Sequence, residues 1–355
     1  MPGKKDSKPT SRKSVRVSLA EVAAHAGVSI ATASRIINGI TNKASTETIA
    51  RVKASIEELC YRPASIGRAL RCQESRIVGL LAAAIENPMM AAIAGSIEKA
   101  LRDEGYVMSL CDTYERADVQ DEYLLEMHAQ LARAVIIIGA LKSPVLDRMR
   151  IDGPPLLFVN RPDPGHAHSP YVGIDNYQVG RDVADMLVAR GIRRVGLIHA
   201  SLDATAATLR RQGVLDGLAA GGVGEDEVIH AHVEGLGHLK VGYAAMQQIL
   251  ALPNPPRVIL CMSDLLAYGA YRRVIEAGFD PVSDFGFIGF DENPLNPWIA
   301  GWLNSIGVAA DRYGQASVAA LKAIWDGEES YGPVYLAHSL RLNGKPLPGE
   351  LSSGR

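Results

Sequence analysis

From Arg76 onward, short apolar runs typical of buried strands alternate with longer segments of helical periodicity. The runs read RIVGLLAA, YVMSLC, AVIIIGA, PLLFVN, VGLIHA, VIHAHV, RVILCM and FGFIGF. Such alternation predicts parallel βαβ units, in which helices cover the faces of a sheet. There are too many runs for one small sheet, so we expect two doubly wound lobes with a cleft at the ends of their strands.

The residues before this alternation follow a different pattern. Residues 1–17 are rich in Lys, Arg, Ser and Pro without hydrophobic periodicity, which is typical of a mobile basic arm. Ser18 and Glu21 have the spacing of a capping box, which predicts a first short helix that ends at Gly27. Ser29 is a suitable N-cap for a second helix. Two helices joined by a tight glycine turn predict a helix-turn-helix.

A third helix, capped by Ser45 or Thr46, would complete a small helical domain over residues 18–62. The basic segment 63–75 is too short to be a stable helix alone, so we expect it to be helical only when docked. Residues 344–355 are rich in Gly, Pro and Ser and are expected to form a flexible tail.

The charges are divided unequally along the chain. Residues 1–76 contain 14 Lys and Arg against 6 Asp and Glu, whereas residues 77–355 contain 23 against 33. A basic head is thus fused to an acidic body. No apolar run is long enough to cross a bilayer, and the basic N-terminus leads into no secretory signal, so we expect a cytoplasmic protein. The four cysteines are far apart in sequence, which favours reduced thiols.

Residues 17–71 resemble the DNA-binding domain of the LacI/GalR family of bacterial transcription repressors. The most specific matches are L-A-E-V-A-x-x-A-G-V-S-x-A-T-x-S-R-x-x-N and the later I-E-E-L-x-Y-R-P. The body continues the resemblance through IENP, VNRP, VGIDN, SDLLAYGA and IGFDE. The resemblance implies an all-α helix-turn-helix domain joined to an α/β sensor of two doubly wound parallel-sheet lobes, of the periplasmic-binding-protein-like type I. It also implies a homodimer that binds operator DNA.

The second helix is the expected recognition helix. Only outward side chains near the start of such a helix reach base edges in the major groove, here Ile30, Ala31 and Arg35. Ile30 and Ala31 can contact thymine methyls, whereas Arg35 can form a bidentate contact with guanine. The short polar side chains are suited to phosphate oxygens, namely those of Ser29, Thr32, Ser34 and Asn38. The alternative for the polar residues is a cap or an exposed helix position without a DNA contact.

In the family, the segment after Pro63 is a hinge that folds on operator DNA and inserts a leucine into the minor groove. Leu70 occupies that position, and an apolar wedge of this kind can kink the duplex. Gly67 replaces the usual helix-forming residue, at a cost of about 0.5 to 1 kcal/mol relative to Ala. The hinge should therefore depend more on DNA than usual. A linker leucine packed on the core is the alternative for Leu70.

The resemblance also implies an effector between the two lobes. The positions carried over from the family's pocket are Asp175, Arg210, Ser263, Asp264 and Asp291, with Met89 and Met90 in place of the usual aromatic pair. Arg161 in VNRP is a further candidate, and for it the alternative is a residue that only braces the loop. Carboxylates and an Arg can bracket sugar hydroxyls, and an Arg can also clamp a carboxylate or phosphate, so a sugar, a sugar acid or a nucleoside all remain open. For the three aspartates, N-capping of the following helix is the alternative.

Two positions depart from the pocket of the family. Gly237 lies where relatives often have a ring-stacking aromatic, and Ala206 lies where a hydroxyl is common. The histidine pairs His166 with His168 and His230 with His232 have no evident third metal ligand, so we expect loop or strand histidines and neither metal nor cofactor.

We expect the sensor to cover residues 76–343. Its N-lobe is predicted over 76–190 and 308–333, and its C-lobe over 191–307 and 334–343. The chain has no GxxxxGK[ST], GxSxG or HExxH motif and no GxGxxG after the first strand, so an enzyme is not favoured. We expect a repressor of carbohydrate-related genes that a sugar inducer releases from a palindromic operator. The alternatives are a co-repressor such as a nucleobase or sugar acid, or nonspecific DNA binding.

Overall fold

The computed structural model describes residues 17–61, 75–200, 205–234, 237–328, 332–344 and 347–348. The chain divides into two units, residues 1–74 and 75–355. The predicted basic arm, most of the hinge segment with Gly67 and Leu70, and most of the C-terminal tail lie outside the described residues. No helix in the described part of the chain is long and apolar enough to span a membrane.

The described part of the smaller unit is built from helices that begin where the sequence predicts. They are α1 (Leu19–His25), α2 (Ile30–Ile37) and α3 (Thr46–Glu58). A serine precedes each helix and accepts a hydrogen bond from the backbone N–H three residues later, at Ser18, Ser29 and Ser45. These bonds satisfy backbone donors that a helix start leaves free.

The core of this unit is small and apolar. Ala26, Ile36 and Val52 form its centre, with Val28 and Ile49 packed against them. Gly27 has a φ of +64°, so the turn between α1 and α2 needs the left-handed conformation that glycine adopts most easily. A predicted glycine turn therefore joins the two helices of the motif.

The first sheet of the larger unit is entirely parallel and has the strand order β11-β5-β4-β3-β1-β2. Its strands are β1 (Ile77–Ala82), β2 (Val107–Asp112), β3 (Ala134–Ile138), β4 (Leu156–Val159), β5 (Tyr171–Gly173) and β11 (Val334–Tyr335). Every residue of the central strand β3 is buried, as expected for a parallel strand covered on both faces. The helices of this N-lobe are α4 (Pro88–Asp103), α5 (Ala117–Ala129), α6 (Pro144–Asp152) and α12 (Asp311–Trp325).

The second sheet has the order β12-β10-β9-β8-β6-β7, and only β12 runs antiparallel to its neighbour. Its strands are β6 (Val195–Ile198), β7 (Val228–Ala231), β8 (Val258–Cys261), β9 (Gly286–Phe290), β10 (Asn304–Gly307) and β12 (Ser339–Arg341). The helices of this C-lobe are α7 (Asn176–Ala189), α8 (Thr205–Ala220), α9 (His238–Leu250), α10 (Asp264–Glu276) and the short α11 (Asn296–Ile299). The expected pair of doubly wound lobes is confirmed.

The lobe boundaries differ from the predicted ones at two places. Helix α7, which was predicted in the N-lobe, packs on α8 of the C-lobe. The contact includes a hydrogen bond from the Tyr177 hydroxyl to Asp216 at 3.0 Å. Strand β11, predicted in the C-lobe, pairs with β5 through Val334 and Val172. The chain thus crosses between lobes after β5, after β10 and after β11. The apolar pattern alone does not show which sheet a flanking element joins.

Glycines bring the helices of the C-lobe close together in pairs. A Cβ atom at Gly213 of α8 would meet the carbonyl oxygen of Tyr177 in α7. On the other pair, a Cβ atom at Gly242 of α9 would meet the Leu266 carbonyl oxygen, and one at Gly269 of α10 would meet the Leu239 carbonyl oxygen. The backbones of α7 with α8, and of α9 with α10, are therefore in direct contact.

Candidate functional site

The predicted base-contacting residues lie on the outer face of α2. Ala33 and Ile36 face the core, and this orientation leaves Ile30, Ala31 and Arg35 exposed. The side chain of Ile30 is 54% exposed, which is unusual for a large apolar residue of a small domain. The guanidinium of Arg35 donates through Nε to the Ala31 carbonyl at 3.2 Å and has no resolved ion pair among the described residues.

The predicted phosphate-contacting residues already make bonds within the helix. Ser29 and Thr32 share a hydroxyl contact of 2.9 Å, and Thr32 N–H donates to the Ser29 hydroxyl at 3.1 Å. Asn38 donates from Nδ2 to the Ser34 carbonyl at 2.7 Å. The capping role of Ser29 is therefore present in the structure. Contacts of these residues with DNA stay predictions.

In the larger unit, Arg210 is the central buried cation of the cleft region. It projects from α8 and is 6% exposed. Its Nε and Nη2 atoms donate to Asn176 Oδ1 at 3.2 and 2.9 Å, and Nη1 donates to the Met262 carbonyl at 2.8 Å. The guanidinium carbon lies 4.4 Å from the centroid of the Phe290 ring. Residues from the starts of α7 and α10 and the end of β9 thus position this side chain together.

Asp291 follows β9 directly and has an unusual backbone. Its φ is +118°, a region that residues other than glycine rarely adopt. Burial raises the pKa of Asp291 to about 7, although the nearby Arg210 guanidinium opposes the shift. Its carboxylate accepts a hydrogen bond from the Asp264 backbone N–H. A strained, half-buried acid beside a buried cation is typical of a functional site.

Asp264 is fully buried and its carboxylate is engaged by groups of its own lobe. It accepts bonds from Asn293 N–H at 2.9 Å, from Asn296 Nδ2 at 2.7 Å and from the Ser305 hydroxyl at 2.7 Å. Burial raises the pKa of Asp264 to about 6 in spite of these bonds. Through these bonds Asp264 holds the loop after β9 in place. The cap of α10, the alternative considered for this residue, is provided by Ser263.

Ser263 connects the cap of α10 with a histidine of α9. Its hydroxyl accepts the Leu266 N–H at 3.3 Å and lies 3.0 Å from His238 Nδ1. Burial lowers the pKa of His238. The positive charge of Arg161 adds to this lowering, whereas the negative charge of Glu115 opposes it. Glu115 and Arg161 belong to the N-lobe, so His238 lies where the two lobes face each other.

Arg161 follows the left-handed Asn160, whose φ is +64°. Its Nη2 atom donates to Glu115 Oε1 at 2.9 Å. The Arg161 side chain is 14% exposed, and Glu115 also has a positive φ, of +53°. Two irregular turns at the ends of N-lobe strands thus place an ion pair opposite His238.

The remaining predicted effector residues have other surroundings. Met89 and Met90 are buried in the apolar core of the sensor, and Met90 Sδ lies 3.7 Å from Asn160 Nδ2. Asp175 is exposed and caps α7 by accepting the Gln178 N–H at 3.0 Å. The structure thus groups Arg210, Ser263, Asp264 and Asp291, with Arg161 across the cleft. It does not bring Met89, Met90 or Asp175 into this group, and their effector contacts stay predictions.

Sequence reasoning did not single out Asn176, His238 or Glu115. Asn176 is buried although it directly follows an exposed capping residue, and its side chain accepts from Arg210 and donates to the Ile174 carbonyl. His238 stands next to Gly237, the position with the missing aromatic. A polar residue at the first position of a helix that follows a strand end is the signal that would have indicated both Asn176 and His238.

The structure adds a third histidine to the pair His230 and His232. The rings of His199 and His232 stack at 4.9 Å, and the His199 and His230 rings lie 6.4 Å apart. The Nδ1 atoms of His199 and His232 lie 2.9 and 3.2 Å from backbone carbonyl oxygens. Within the described ranges, no group of His, Cys, Asp or Glu side chains is arranged to hold a metal. His166 and His168 are exposed in a loop.

Comparisons with known proteins match both units. The family described as bacterial regulatory proteins, lacI family, matches residues 18–64, and the periplasmic binding protein domain family matches residues 78–329. A transcriptional repressor PurR of Pectobacterium carotovorum is 31% identical over 85% of this chain and 88% of the relative. The PurR repressor of Yersinia enterocolitica is 29% identical over the same shares of each chain.

Solved structures share the fold. The lac repressor dimer bound to operator matches with a TM-score of 0.80 at 23% identity, over 92% of this chain and 98% of the other. The regulator CelR in complex with cellobiose matches at 0.65 and 26%, over 92% and 99%. A LacI family regulator of Enterococcus faecium with bound ribose matches at 0.67 and 22%, over 76% and 99%.

Proposed function

Because this chain belongs to the lacI family of bacterial regulatory proteins, we propose that it represses carbohydrate-related genes until a sugar or sugar derivative releases it from a palindromic operator. The family assigns DNA-binding transcriptional regulation to the chain. The observation that carries the effector part is the buried pair of Arg210 and Asn176 with the half-buried Asp291, which lies where α/β folds bind small molecules.

The head supports sequence-specific binding. Arg35 is exposed on the outer face of α2 with most of its donors directed to solvent, as a bidentate guanine contact requires. Ile30 offers an apolar surface for a thymine methyl group. One short helix contacts too few bases for genomic specificity, so we infer a homodimer with two heads on two half-sites. Leu70 is proposed as the minor-groove wedge of the hinge.

A sugar fits the cleft for chemical reasons. An amide oxygen and a carbonyl oxygen accept one hydrogen bond from each of the three Arg210 guanidinium nitrogens, which leaves a second N–H group on Nη1 and one on Nη2. With Asp291, Ser263 and Arg161, the region offers both donors and acceptors, which is what hydroxyl groups need. CelR and the Enterococcus faecium regulator were solved with cellobiose and ribose, and we extend a sugar ligand to this chain as part of the proposal.

The effector must bind one lobe arrangement better than the other, and this difference is the coupling free energy. We propose that the effector-bound arrangement holds the two heads at a spacing that fits the operator less well. The ligand then acts as an inducer. A co-repressor, such as a sugar acid or nucleobase, would reverse the sign of the same coupling.

We infer that the cleft binds its ligand without reacting with it. The pair of Ser263 and His238 resembles a nucleophile with its base. However, the Ser263 hydroxyl accepts the Leu266 N–H as a helix cap, and the Glu115 carboxylate is bonded to Arg161. The Ser263 hydroxyl is thus engaged as a helix cap and the Glu115 carboxylate is engaged by Arg161, so we do not assign Ser263 and His238 the roles of nucleophile and base. We place the protein in the bacterial cytoplasm, on operator DNA.

Selection of genomic fragments by the purified protein tests the proposal. The bound DNA is sequenced at moderate and high salt, with and without a pool of sugars that includes cellobiose and ribose. We expect a palindrome that is enriched without sugar and lost with it. Enrichment only when the pool is present would make the ligand a co-repressor. DNA retained without sequence preference in every condition would contradict the proposal and favour nonspecific binding.

A further inference from the structure

The third crossover between the lobes is short and firmly bonded. Only residues 336–338, here called the crossover segment, separate β11 in the N-lobe from β12 in the C-lobe. Each of its residues bonds to an element next to another crossover. Leu336 N–H donates to the Gly173 carbonyl at the end of β5 at 2.7 Å, and His338 Nε2 lies 2.9 Å from Asp182 Oδ2 in α7, so both contact the first crossover. The Ala337 carbonyl accepts from Arg312 Nη1 of α12, next to the second crossover, at 3.3 Å. A shift of this segment would therefore involve all three connections between the lobes.

The strand after the crossover segment is tied to the loop after β9. Arg341 donates to Glu292 Oε1 from Nη2 at 2.6 Å and from Nε at 3.1 Å. Ser339 donates its hydroxyl to Glu292 Oε2 at 3.2 Å. The Glu292 side chain is 9% exposed, whereas that of Arg341 is 62% exposed, so the pair is buried on the carboxylate side and open to solvent on the guanidinium side. Charge-assisted bonds of this kind have a defined direction as well as strength.

Glu292 is the neighbour of Asp291, and the two share one irregular turn. Their φ angles are +53° and +118°. Strand β10 holds the turn through two hydrogen bonds. Asp291 N–H donates to the Ile306 carbonyl at 2.8 Å, and Glu292 N–H donates to the Ser305 hydroxyl at 3.0 Å. A tightly bonded turn cannot absorb a displacement of Asp291 by itself.

We propose that Arg341 is a positioning residue that transmits changes at Asp291, through Glu292, to the crossover segment. Effector occupancy of the cleft then alters the relative orientation of the lobes without any contact between Arg341 and the effector. This inference rests on the proposed function, because it takes the region around Asp291 as the effector site. The link has a physical basis in bonds at every step, and it predicts a measurable coupling between Asp291 and residues 336–341.

Hydrogen exchange of the full-length protein without ligand tests the coupling. At about pH 8, above the raised pKa of Asp291, Asp291→Asn removes the cleft charge while keeping a side-chain oxygen for the Asp264 N–H. We expect it to change the exchange rate of amides 336–341 by about threefold or more in the wild-type background. In the Arg341→Ala background the same substitution should leave these rates unchanged. An equal change in both backgrounds, or no change in the wild-type background, would overturn the proposal.

Matched variants separate coupling from a general loss of structure. Arg272→Ala breaks the exposed pair with Glu276 in the same lobe and should leave the response to Asp291→Asn intact. Arg341→Lys keeps the charge and should retain most of the response, whereas Glu292→Gln should reduce it. If Arg272→Ala abolishes the response as fully as Arg341→Ala does, Arg341 has no special role.

The proposed sugar ligand is tested separately, by thermal-shift titration of the same protein with cellobiose, ribose and the sugar pool. A coupling that is present while no sugar binds would leave the role of Arg341 standing and remove the sugar class. Binding of a sugar while the exchange coupling is absent would remove the role of Arg341 and leave the ligand class standing.

Discussion

Helix α2, which we propose contacts DNA, and the cleft that we propose binds the effector hold their polar side chains in opposite ways. On α2, Arg35 is exposed and its one resolved bond is to its own helix. In the cleft, Arg210 is buried and bonded to groups from other elements of the fold. A recognition residue on the surface is positioned by its helix alone, whereas a pocket residue depends on the packing of a lobe. Substitutions should therefore change recognition alone in the head, and both recognition and stability in the sensor.

The largest effect should come from the buried ion pair of the N-lobe. Asp163 accepts bonds from Arg150 Nε at 2.8 Å, from the Ser169 hydroxyl at 2.6 Å and from Gly165 N–H at 2.8 Å. Asp163→Ala leaves Arg150 buried without this partner, so the sensor should lose about 3 to 5 kcal/mol of unfolding free energy. Denaturant titration followed by hydrogen exchange measures this loss for each unit.

The control is Asp147→Ala, because Asp147 pairs with the same Arg150 but is 52% exposed. We expect a loss below about 1 kcal/mol for this variant. The exchange of residues 19–58 should stay unchanged in both variants. An equal destabilisation of the head would show that the two units do not respond separately.

The second effect is a pH dependence that only the sensor should show. Burial raises the pKa of Asp291 from an ordinary value of 3.8 to about 7, so the folded state holds a proton that the unfolded state releases. Stability should then fall as the pH rises from about 4 to about 7, by at most about 1.4 kcal/mol per pH unit, and level off above. The raised pKa of Asp264, about 6, adds to the fall below pH 6, so Asp291→Asn should reduce the slope in urea titrations most clearly between about pH 6 and about pH 7. Parallel curves for wild type and variant would contradict the prediction.

The third effect concerns recognition in the head. Arg35→Ala should cost about 1 to 3 kcal/mol of discrimination at each half-site, because a bidentate guanine contact is lost. Competition between the selected palindrome and a scrambled duplex measures it at fixed salt. The unfolding free energy and the binding of sugars should stay unchanged. Sequence preference that survives the substitution would remove Arg35 from the base contacts.

The smallest effect separates capping from DNA contact. Ser29→Ala and Ser45→Ala each remove an N-cap and should lower the stability of the head by about 1 kcal/mol. Only Ser29 belongs to the recognition helix, so only its variant should also weaken operator binding, and equally on every sequence. Melting curves and binding isotherms of the two variants provide the comparison. Equal operator affinity of the two variants would leave Ser29 with a capping role alone.

The same contrast between local and tertiary determinants explains which features of the structure could be predicted from the sequence. The helix starts at Ser18, Ser29 and Ser45 were predicted correctly because caps are local. The alternation of runs likewise predicted the two lobes. In contrast, the lobe that α7 joins depends on contacts between distant parts of the chain, which local patterns do not contain.

The cleft shows the same limit at the level of single residues. Asp264 has the residue type and the position of a ligand contact, yet its carboxylate serves Asn293, Asn296 and Ser305. The position of Asn176 at the start of a helix after a strand indicates the end of the sheet at which it lies, but nothing local indicates that it is the partner of Arg210. Chemistry at the strand ends was foreseeable, but the choice among polar neighbours is made by tertiary packing.

The glycine contacts between the paired helices have a practical consequence for protein engineering. One pair delivers Asn176 and Arg210, and the other delivers His238 and Ser263, each from backbones in direct contact. Such rigid frames keep their geometry when a side chain at the mouth of the pocket is replaced. A library that retunes this regulator should therefore preserve the glycines and vary these four residues under a screen for stability as well as for ligand binding, because three of the four are buried.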